Sequence, residues 1–296
     1  MWFIARRLAF SALVLWAVSA ALFALVHLVP VSPARIVLGI DATPAQIAEF
    51  EHDHGLDRPI AAQYAAWLGA ALRGDFGRSY VTNLPVGGQL AQDLPVTVEI
   101  VTIGFAFAVL AALPLGLVSA FWKETAIDHL ARGFAVVGVS VPGFWLGLML
   151  IAWGAVGLGW FPPGGYVPPS AGLAPHLRSI ALPAFALGIY YVAILSRMTR
   201  ASMVDVLGQD YIRTARALGL RRRRIVVYVL KNGLAPVVSL AAMSYGYMFG
   251  WALIIEQVFN IAGLSRALLN AIFSRDFVTV QAIVMIITII FILANL

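Results

Sequence analysis

Residues 100–122 read IVTIGFAFAVLAALPLGLVSAFW, twenty-three consecutive positions without an aspartate, glutamate, lysine or arginine. A helix rises about 1.5 Å per residue and the hydrocarbon core of a bilayer is about 30 Å thick, so a run of this length crosses it once. Inside that core no water is at hand for backbone N–H and C=O groups, and a helix satisfies them within one segment. Reading outward, uncharged runs of the same kind occupy 8–34, 133–177, 179–196, 232–255 and 277–296. The 133–177 run has room for two spans. Phe161-Pro162-Pro163-Gly164-Gly165 and Pro168-Pro169 interrupt it, however, leaving one span over 133–160 followed by a loop. The expectation is an all-α integral membrane protein with six transmembrane helices.

Composition agrees. Of the 296 residues, 61% are apolar and 11% charged, against about 45–50% and about 25% in soluble domains, which excludes a water-soluble globule. The absence of cysteine removes disulfides, thiolate metal sites and a cysteine nucleophile. The net charge of +6 suits nucleic acid, an acidic membrane surface or basic cytoplasmic loops, and its placement separates them. With the N-terminus inside, thirteen of the twenty basic residues fall on the interior segments, beginning with Arg6-Arg7, and seven on the exterior ones. That asymmetry predicts an N-in, C-in topology and leaves nucleic-acid binding without separate support. The 8–34 run is longer than the apolar core of a signal peptide, about 7–15 residues, and is read as a retained helix.

Three regions follow: 1–34 with the first span, 35–95 as an exterior segment with short helices, and 96–296 as the membrane core carrying a cytoplasmic loop over 197–231. In the exterior segment Thr43-Pro44-Ala45-Gln46 is a helix start, with the threonine as cap, the proline in the first turn and the glutamine completing a capping box. A second helix is expected over 60–72, with Tyr64, Trp67, Leu68 and Ala71 on one face against neighbouring spans or the membrane. His52 and His54 flank Asp53, but residues two apart lie on different helix faces, so the reading is of no metal site.

The 197–231 loop holds nine basic and two acidic residues. Asp210 is placed to cap a two-turn helix over 211–218, and Gly219 to end it in a left-handed conformation. A helix this short is marginal in water and has to be held by packing. Tyr211, Ala215 and Leu218 share one face while Arg213 and Arg216 project from another, a shape suited to docking. Lipid contact is the competing use of such a loop, above all for Arg221-Arg222-Arg223-Arg224.

The string Leu207-Gly208-Gln209-Asp210-Tyr211-Ile212-Arg213-Thr214-Ala215-Arg216-Ala217-Leu218-Gly219-Leu220 resembles the cytoplasmic coupling loop of the permease subunits of binding-protein-dependent ABC importers, and most resembles the dipeptide/oligopeptide/nickel branch. The likeness runs along nearly the whole chain, through Arg6-Arg7, Gly55-Leu56-Asp57-Arg58-Pro59 with Tyr64 and Trp67, Gly74-Asp75-Phe76-Gly77-Arg78-Ser79, Ser140-Val141-Pro142-Gly143-Phe144 and Asn232-Gly233-Leu234-Ala235-Pro236. Arg213-Thr214-Ala215 stands where the general importer loop has Glu-Ala-Ala, and Pro236 lies further from Gly219, both as in the peptide branch. Within that branch Leu218 stands where lysine is common, and Ala262 and Ser265 where proline and glycine are usual.

The resemblance implies the type I ABC importer permease fold in the bacterial inner membrane. It also implies a second, similar permease subunit, two ATP-binding subunits carrying ATP and Mg, an external substrate-binding protein and a cargo of small peptides or related solutes. Asp210, Tyr211, Arg213, Thr214, Ala215, Arg216, Ala217, Leu218 and Gly219 would then form the helix that seats in an ATPase groove. This chain has no Gly-rich phosphate loop with Lys-Ser/Thr, so it is expected to bind no cofactor and to catalyse nothing. Glu99 and Glu256, near the exterior ends of spans two and five, are either interfacial or face a central cavity where they attract a substrate amine. Ser140-Val141-Pro142 bends span three, lining a translocation path or merely kinking it. Gly143, Gly147, Gly154, Gly157 and Gly159 suit close or sliding helix contact as well as ordinary packing.

Two other function classes have less support in the sequence. An ion-driven carrier needs ionisable residues in mid-span, and none lies in 100–122 or 232–255. An intramembrane enzyme has no support from a His-Glu-x-x-His or Gly-x-Ser-x-Gly motif, and His27 has no evident partner in the sequence.

Overall fold

The computed structural model describes residues 2–28, 33–39 and 41–296, so the far end of the first uncharged run, at 29–32, lies outside it. Among the described residues the chain is helical, with no strand beyond an isolated bridge between Arg78 and Pro85. The first helices are α1 (Trp2–Leu28), α2 (Pro33–Leu38), α3 (Pro44–Asp53) and α4 (Ile60–Ala71). The middle of the chain forms α5 (Val86–Phe121), α6 (Ala126–Ser140), α7 (Gly143–Leu150) and α8 (Leu173–Leu207). The remainder forms α9 (Asp210–Ala217), α10 (Arg222–Val258), α11 (Leu264–Phe273) and α12 (Phe277–Asn295). A π-helical segment, Ile151–Gly157, prolongs α7.

Five helices, α1, α5, α8, α10 and α12, are long and apolar enough to cross a membrane, and α6 with α7 makes a sixth crossing only as a pair bent by 97°. The span expected over 133–160 is thus corrected in its bounds: it starts earlier, at Ala126, and the bend expected at Ser140-Val141-Pro142 is a full break of the helix at Val141-Pro142. Proline supplies no N–H and pushes the residue before it out of helical geometry. Val141 (φ −80°, ψ 120°) and Pro142 (φ −62°, ψ 132°) are both extended. The spans expected at 100–122, 179–196 and 232–255 belong to helices of 36, 35 and 37 residues. Uncharged runs mark the part of a helix that crosses lipid; nothing obliges the helix to stop where charge begins.

Two compact units share these elements. The first takes in Met1–Pro95 and Gly263–Ala294. Here the capping box is present: Thr43 Oγ1 accepts from the Gln46 N–H, and Gln46 Oε1 from the Thr43 N–H. The apolar stripe of α4 lies on α1, with the Tyr64 and Trp67 rings 5.4 and 6.0 Å from Phe23. His27, expected to lack a partner, bonds through Nδ1 to the Phe23 carbonyl (2.9 Å) and through Nε2 to Gln63 Oε1 (3.1 Å). The start of α5 packs Val86 and Leu90 against Leu264 and Ala267 of α11 and Ala282 and Ile283 of α12.

The second unit is Val96–Ala262. Its central helix is α8, much more deeply buried than α10, and α6, α7 and α10 pack on it. Helices come closest where side chains are absent. A Cβ added at Gly116 of α5 would lie 2.5 Å from Thr199 Cβ and 2.6 Å from the Ser196 carbonyl oxygen of α8. Of the five glycines of 143–159 expected to suit close helix contact, Gly147 comes nearest another helix, with an added Cβ 3.1 Å from Val258 Cγ1. Gly116→Ala is expected to force α5 and α8 apart and to destabilise the unit by about 1–3 kcal/mol, the usual size of an overpacking penalty. A thermal midpoint unchanged from that of the parent complex would show that the two helices are not in this contact.

Candidate coupling site

The cytoplasmic loop is built by α9 and its two flanks. The helix begins one residue earlier than expected. Gln209 occupies the cap position with extended backbone and no side-chain capping bond, while Asp210 is the first helical residue and accepts from Arg213 Nη1 at 3.2 Å. Asp210 still favours the helix start and Arg216 its end, because the helix dipole is positive at the first turn and negative at the last. Gly219 closes the helix as its type predicts. At φ +73° it lets the Leu220 N–H reach the Ala215 carbonyl (3.1 Å) while its own N–H bonds to that of Arg216 (3.0 Å), a Schellman ending.

The docking face expected from spacing, Tyr211 with Ala215 and Leu218, is not one face here. Ile212 (0% exposed) and Ala215 (8%) face inward, whereas Tyr211 (46%) and Leu218 (74%) are exposed. Leu218 is already the cap residue, so helical spacing no longer places it above Ala215, and Ile212 provides the larger apolar anchor. The seat for Ile212 is a cluster of Ala120 from α5, Met203 from α8, and Ile225 and Val229 from α10, with Leu117, Phe121, Leu207 and Leu220 around it. Three membrane-spanning helices therefore meet at one short helix. Its outer surface presents Tyr211, Arg213, Arg216 and Leu218, with Thr214 and Ala217 also exposed. The Thr214 hydroxyl bonds back to the Asp210 carbonyl.

Two features beside this seat were not anticipated. Asp128 of α6, wholly buried, accepts from Ser119 Oγ of α5 at 2.5 Å, from Arg200 Nε and Nη2 of α8 at 2.6 and 2.7 Å, and from the Glu124 N–H at 3.0 Å. Ser119 directly precedes Ala120 of the seat, so this clamp ties α5, α6 and α8 together next to α9. At the start of α10 the Arg222 guanidinium lies over the Trp122 ring at 4.8 Å and the Phe121 ring at 5.7 Å, a cation–π contact. Asp128 and Arg200 are 72 residues apart, and one sequence carries no signal for such a pair.

The residues considered for a translocation path each find their own partners. Glu99 accepts from the Tyr166 hydroxyl (2.6 Å) and lies 2.7 Å from His176 Nε2. The Tyr166 phenol, in the loop before α8, is pushed up to about 12 by burial and by its bond to Glu99, and remains a donor. Glu256 is fully buried and accepts from the Thr97 hydroxyl at 2.5 Å. Ser140, exposed, bonds to the Val136 carbonyl, and Pro142 heads α7. His52 bonds to Asp57 and His54 to the Phe50 carbonyl. The Asp57 carboxylate raises His52 above its ordinary value, and the same bond holds Asp57 below its own.

Comparison with known proteins places these elements in a family. Residues 112–296 match the family described as binding-protein-dependent transport system inner membrane component, and residues 1–101 match its N-terminal family. A protein of Brucella abortus (strain 2308), assigned as a candidate peptide transport system permease, is 34% identical over 293 residues, covering 99% of this chain and 93% of its own. The glutathione transport system permease protein GsiC of Escherichia coli (strain K12) is 35% identical over 283 residues, covering 95% and 90%. Among solved structures, the MetNI methionine ABC transporter in an inward-facing conformation aligns with a TM-score of 0.55 at 16% identity, covering 70% of this chain and 93% of that one. The last likeness concerns fold alone.

Proposed function

The chain belongs to the family of binding-protein-dependent transport system inner membrane components, and from that premise we propose that α9 is the part of it that an ATP-hydrolysing subunit grips and moves. The chain is a multi-pass inner-membrane permease subunit of an ABC importer in the peptide branch. A complete importer built on it has a second permease subunit, two ATP-binding subunits that hold ATP and Mg, and an external substrate-binding protein. The cargo is a small peptide or related solute, a reading supported by the peptide and glutathione systems of the relatives.

One observation supports the role of α9 above the rest. An eight-residue helix cannot persist alone in water, yet this one is pinned by Ile212 and Ala215 to the ends of α5, α8 and α10 and leaves Tyr211, Arg213, Arg216 and Leu218 outward. A pull on that outer surface passes through Ile212 to three spans at once. Closure of the ATP-binding pair then favours one packing of the spans and opening favours the other, which is alternating access. ATP chemistry stays with the partners. The lipid reading of this loop fits Arg221-Arg222-Arg223-Arg224 better than α9, because Arg222 stacks on Trp122, an aromatic residue of the kind that sits at membrane interfaces.

Cysteine cross-linking in the assembled importer tests this. Leu218→Cys is expected to cross-link to an ATP-binding subunit, with a yield that changes between nucleotide-free and ATP-bound states. If that cysteine forms no such link while remaining open to water-soluble reagents from the cytoplasmic side, α9 is not the coupling element.

A further inference from the structure

The first unit contains a cavity that the coupling mechanism does not use. It encloses about 930 Å³, at the upper end of the ~300–1,000 Å³ of small-molecule sites. The outer end of α1 contributes Phe23, Val26 and His27 to its wall, and the start of α12 contributes Phe277, Val278 and Gln281. The rest comes from Val37 of α2, from Phe50 and Glu51 of α3 and from the segment between α3 and α5. There Gly55-Leu56-Asp57-Arg58-Pro59 and Gly74-Asp75-Phe76-Gly77-Arg78-Ser79, distant in sequence and unexplained by coupling, supply Leu56, Arg58, Asp75, Phe76 and Arg78 to the same space.

The lining is graded. Where the spans end it is aromatic and apolar, with Phe23, Trp67 and Phe277, while the exterior segment brings charges of both signs, Arg58 and Arg78 with Glu51 and Asp75. Arg58 is exposed and forms no ion pair among the described residues. Arg78 gives Nη1 to the Asn83 carbonyl at 2.9 Å, and Asp75 accepts from the Gly77 N–H through Oδ1 alone. A simple anion would meet the carboxylates and a simple cation the guanidiniums. A zwitterion with an apolar tail satisfies all three zones.

We propose that this cavity holds a zwitterionic phospholipid of the outer leaflet, of the phosphatidylethanolamine class. Arg58 and Arg78 face its phosphate, Asp75 and Glu51 its ammonium, and Phe23, Trp67 and Phe277 its acyl chains. Position favours a lipid over a soluble zwitterion. Spans α1 and α12 furnish much of the apolar wall, and α1 is mostly uncovered by the rest of this chain, so an acyl chain lying in the cavity has an apolar helix surface to follow.

The test is native mass spectrometry of the assembled transporter, titrated in detergent with dioleoyl phosphatidylethanolamine, dioleoyl phosphatidylglycerol or a soluble dipeptide. One phosphatidylethanolamine is expected to stay bound per copy of this chain, at least tenfold more tightly than phosphatidylglycerol. Arg58→Glu with Arg78→Glu, both at exposed positions, and separately Ala66→Trp, which fills the cavity, should each weaken retention at least tenfold without dissociating the complex. Equal retention by the variants, or equal retention of phosphatidylglycerol, overturns the proposal. Displacement of the lipid by the dipeptide at matching concentration also overturns it and makes the cavity a solute site. None of these outcomes bears on the role of α9.

Discussion

Removing one member of the Asp128–Arg200 pair is expected to destabilise the second unit by about 3–5 kcal/mol, the range seen when a buried ion pair loses a single partner. The two halves should not be equivalent. The Arg200 side chain is 21% exposed and that of Asp128 0%, so an unpaired arginine regains some water while an unpaired aspartate cannot. Asp128→Asn is therefore expected near the lower end of that range and Arg200→Met near the upper. With Arg200 gone, the Ser119 hydroxyl and the Glu124 N–H remain as donors to Asp128, but of its cations only Arg132 is left, with its Nε at 3.8 Å. The double variant Asp128→Leu with Arg200→Met should recover most of the loss, because well-packed apolar groups in place of a buried pair are commonly neutral or better. Unfolding of the purified complex, followed by tryptophan fluorescence, reads all three. If Arg200→Met costs less than about 1 kcal/mol, as surface pairs do, the clamp is solvated and does not hold α5, α6 and α8 together.

This pair also shows where sequence reading stops. Uncharged runs revealed the spans because the bilayer imposes one simple rule on every residue that crosses it. They could not reveal where helices end: Asp128 and Arg200 lie inside α6 and α8, and a charge that finds a buried partner does not terminate a helix. The break in the third span was legible at Pro142, since proline acts locally, but its angle of 97° depends on what α6 and α7 each pack against. Gly219 was equally readable, because a positive φ is a property of one residue. The face of α9 was not. Tyr211, Ala215 and Leu218 satisfy helical spacing, yet the helix ends before Leu218, and the seat formed by α5, α8 and α10 selects Ile212. Long-range pairs such as Glu99 with His176 join residues 77 apart, and nothing in a single chain marks them.

That reversal of faces separates two variants that sequence reading would have treated alike. Truncating a fully buried isoleucine typically costs about 2–5 kcal/mol, and Ile212 is the large side chain that seats α9. An eight-residue helix has no reserve of its own, so Ile212→Ala should release it locally. Amide hydrogen exchange over 208–221 is then expected to quicken by about a hundredfold, since each 1.4 kcal/mol corresponds to about a factor of ten. Leu218→Asp removes an exposed apolar contact instead. It should leave that protection unchanged in the isolated chain and still lower uptake in proteoliposomes by about tenfold or more, the scale of a lost hot-spot residue at a protein interface. Both variants should uncouple ATP hydrolysis from binding-protein delivery, but only Ile212→Ala should do so by unseating the helix. Ala215→Arg would combine the two faults, because Ala215 faces the seat and an arginine there lifts α9 before any partner is met. If Ile212→Ala leaves exchange unchanged, the seat is not what holds α9. If Leu218→Asp transports normally, force enters the chain elsewhere, and the stacked Arg222 at the head of α10 becomes the next place to look.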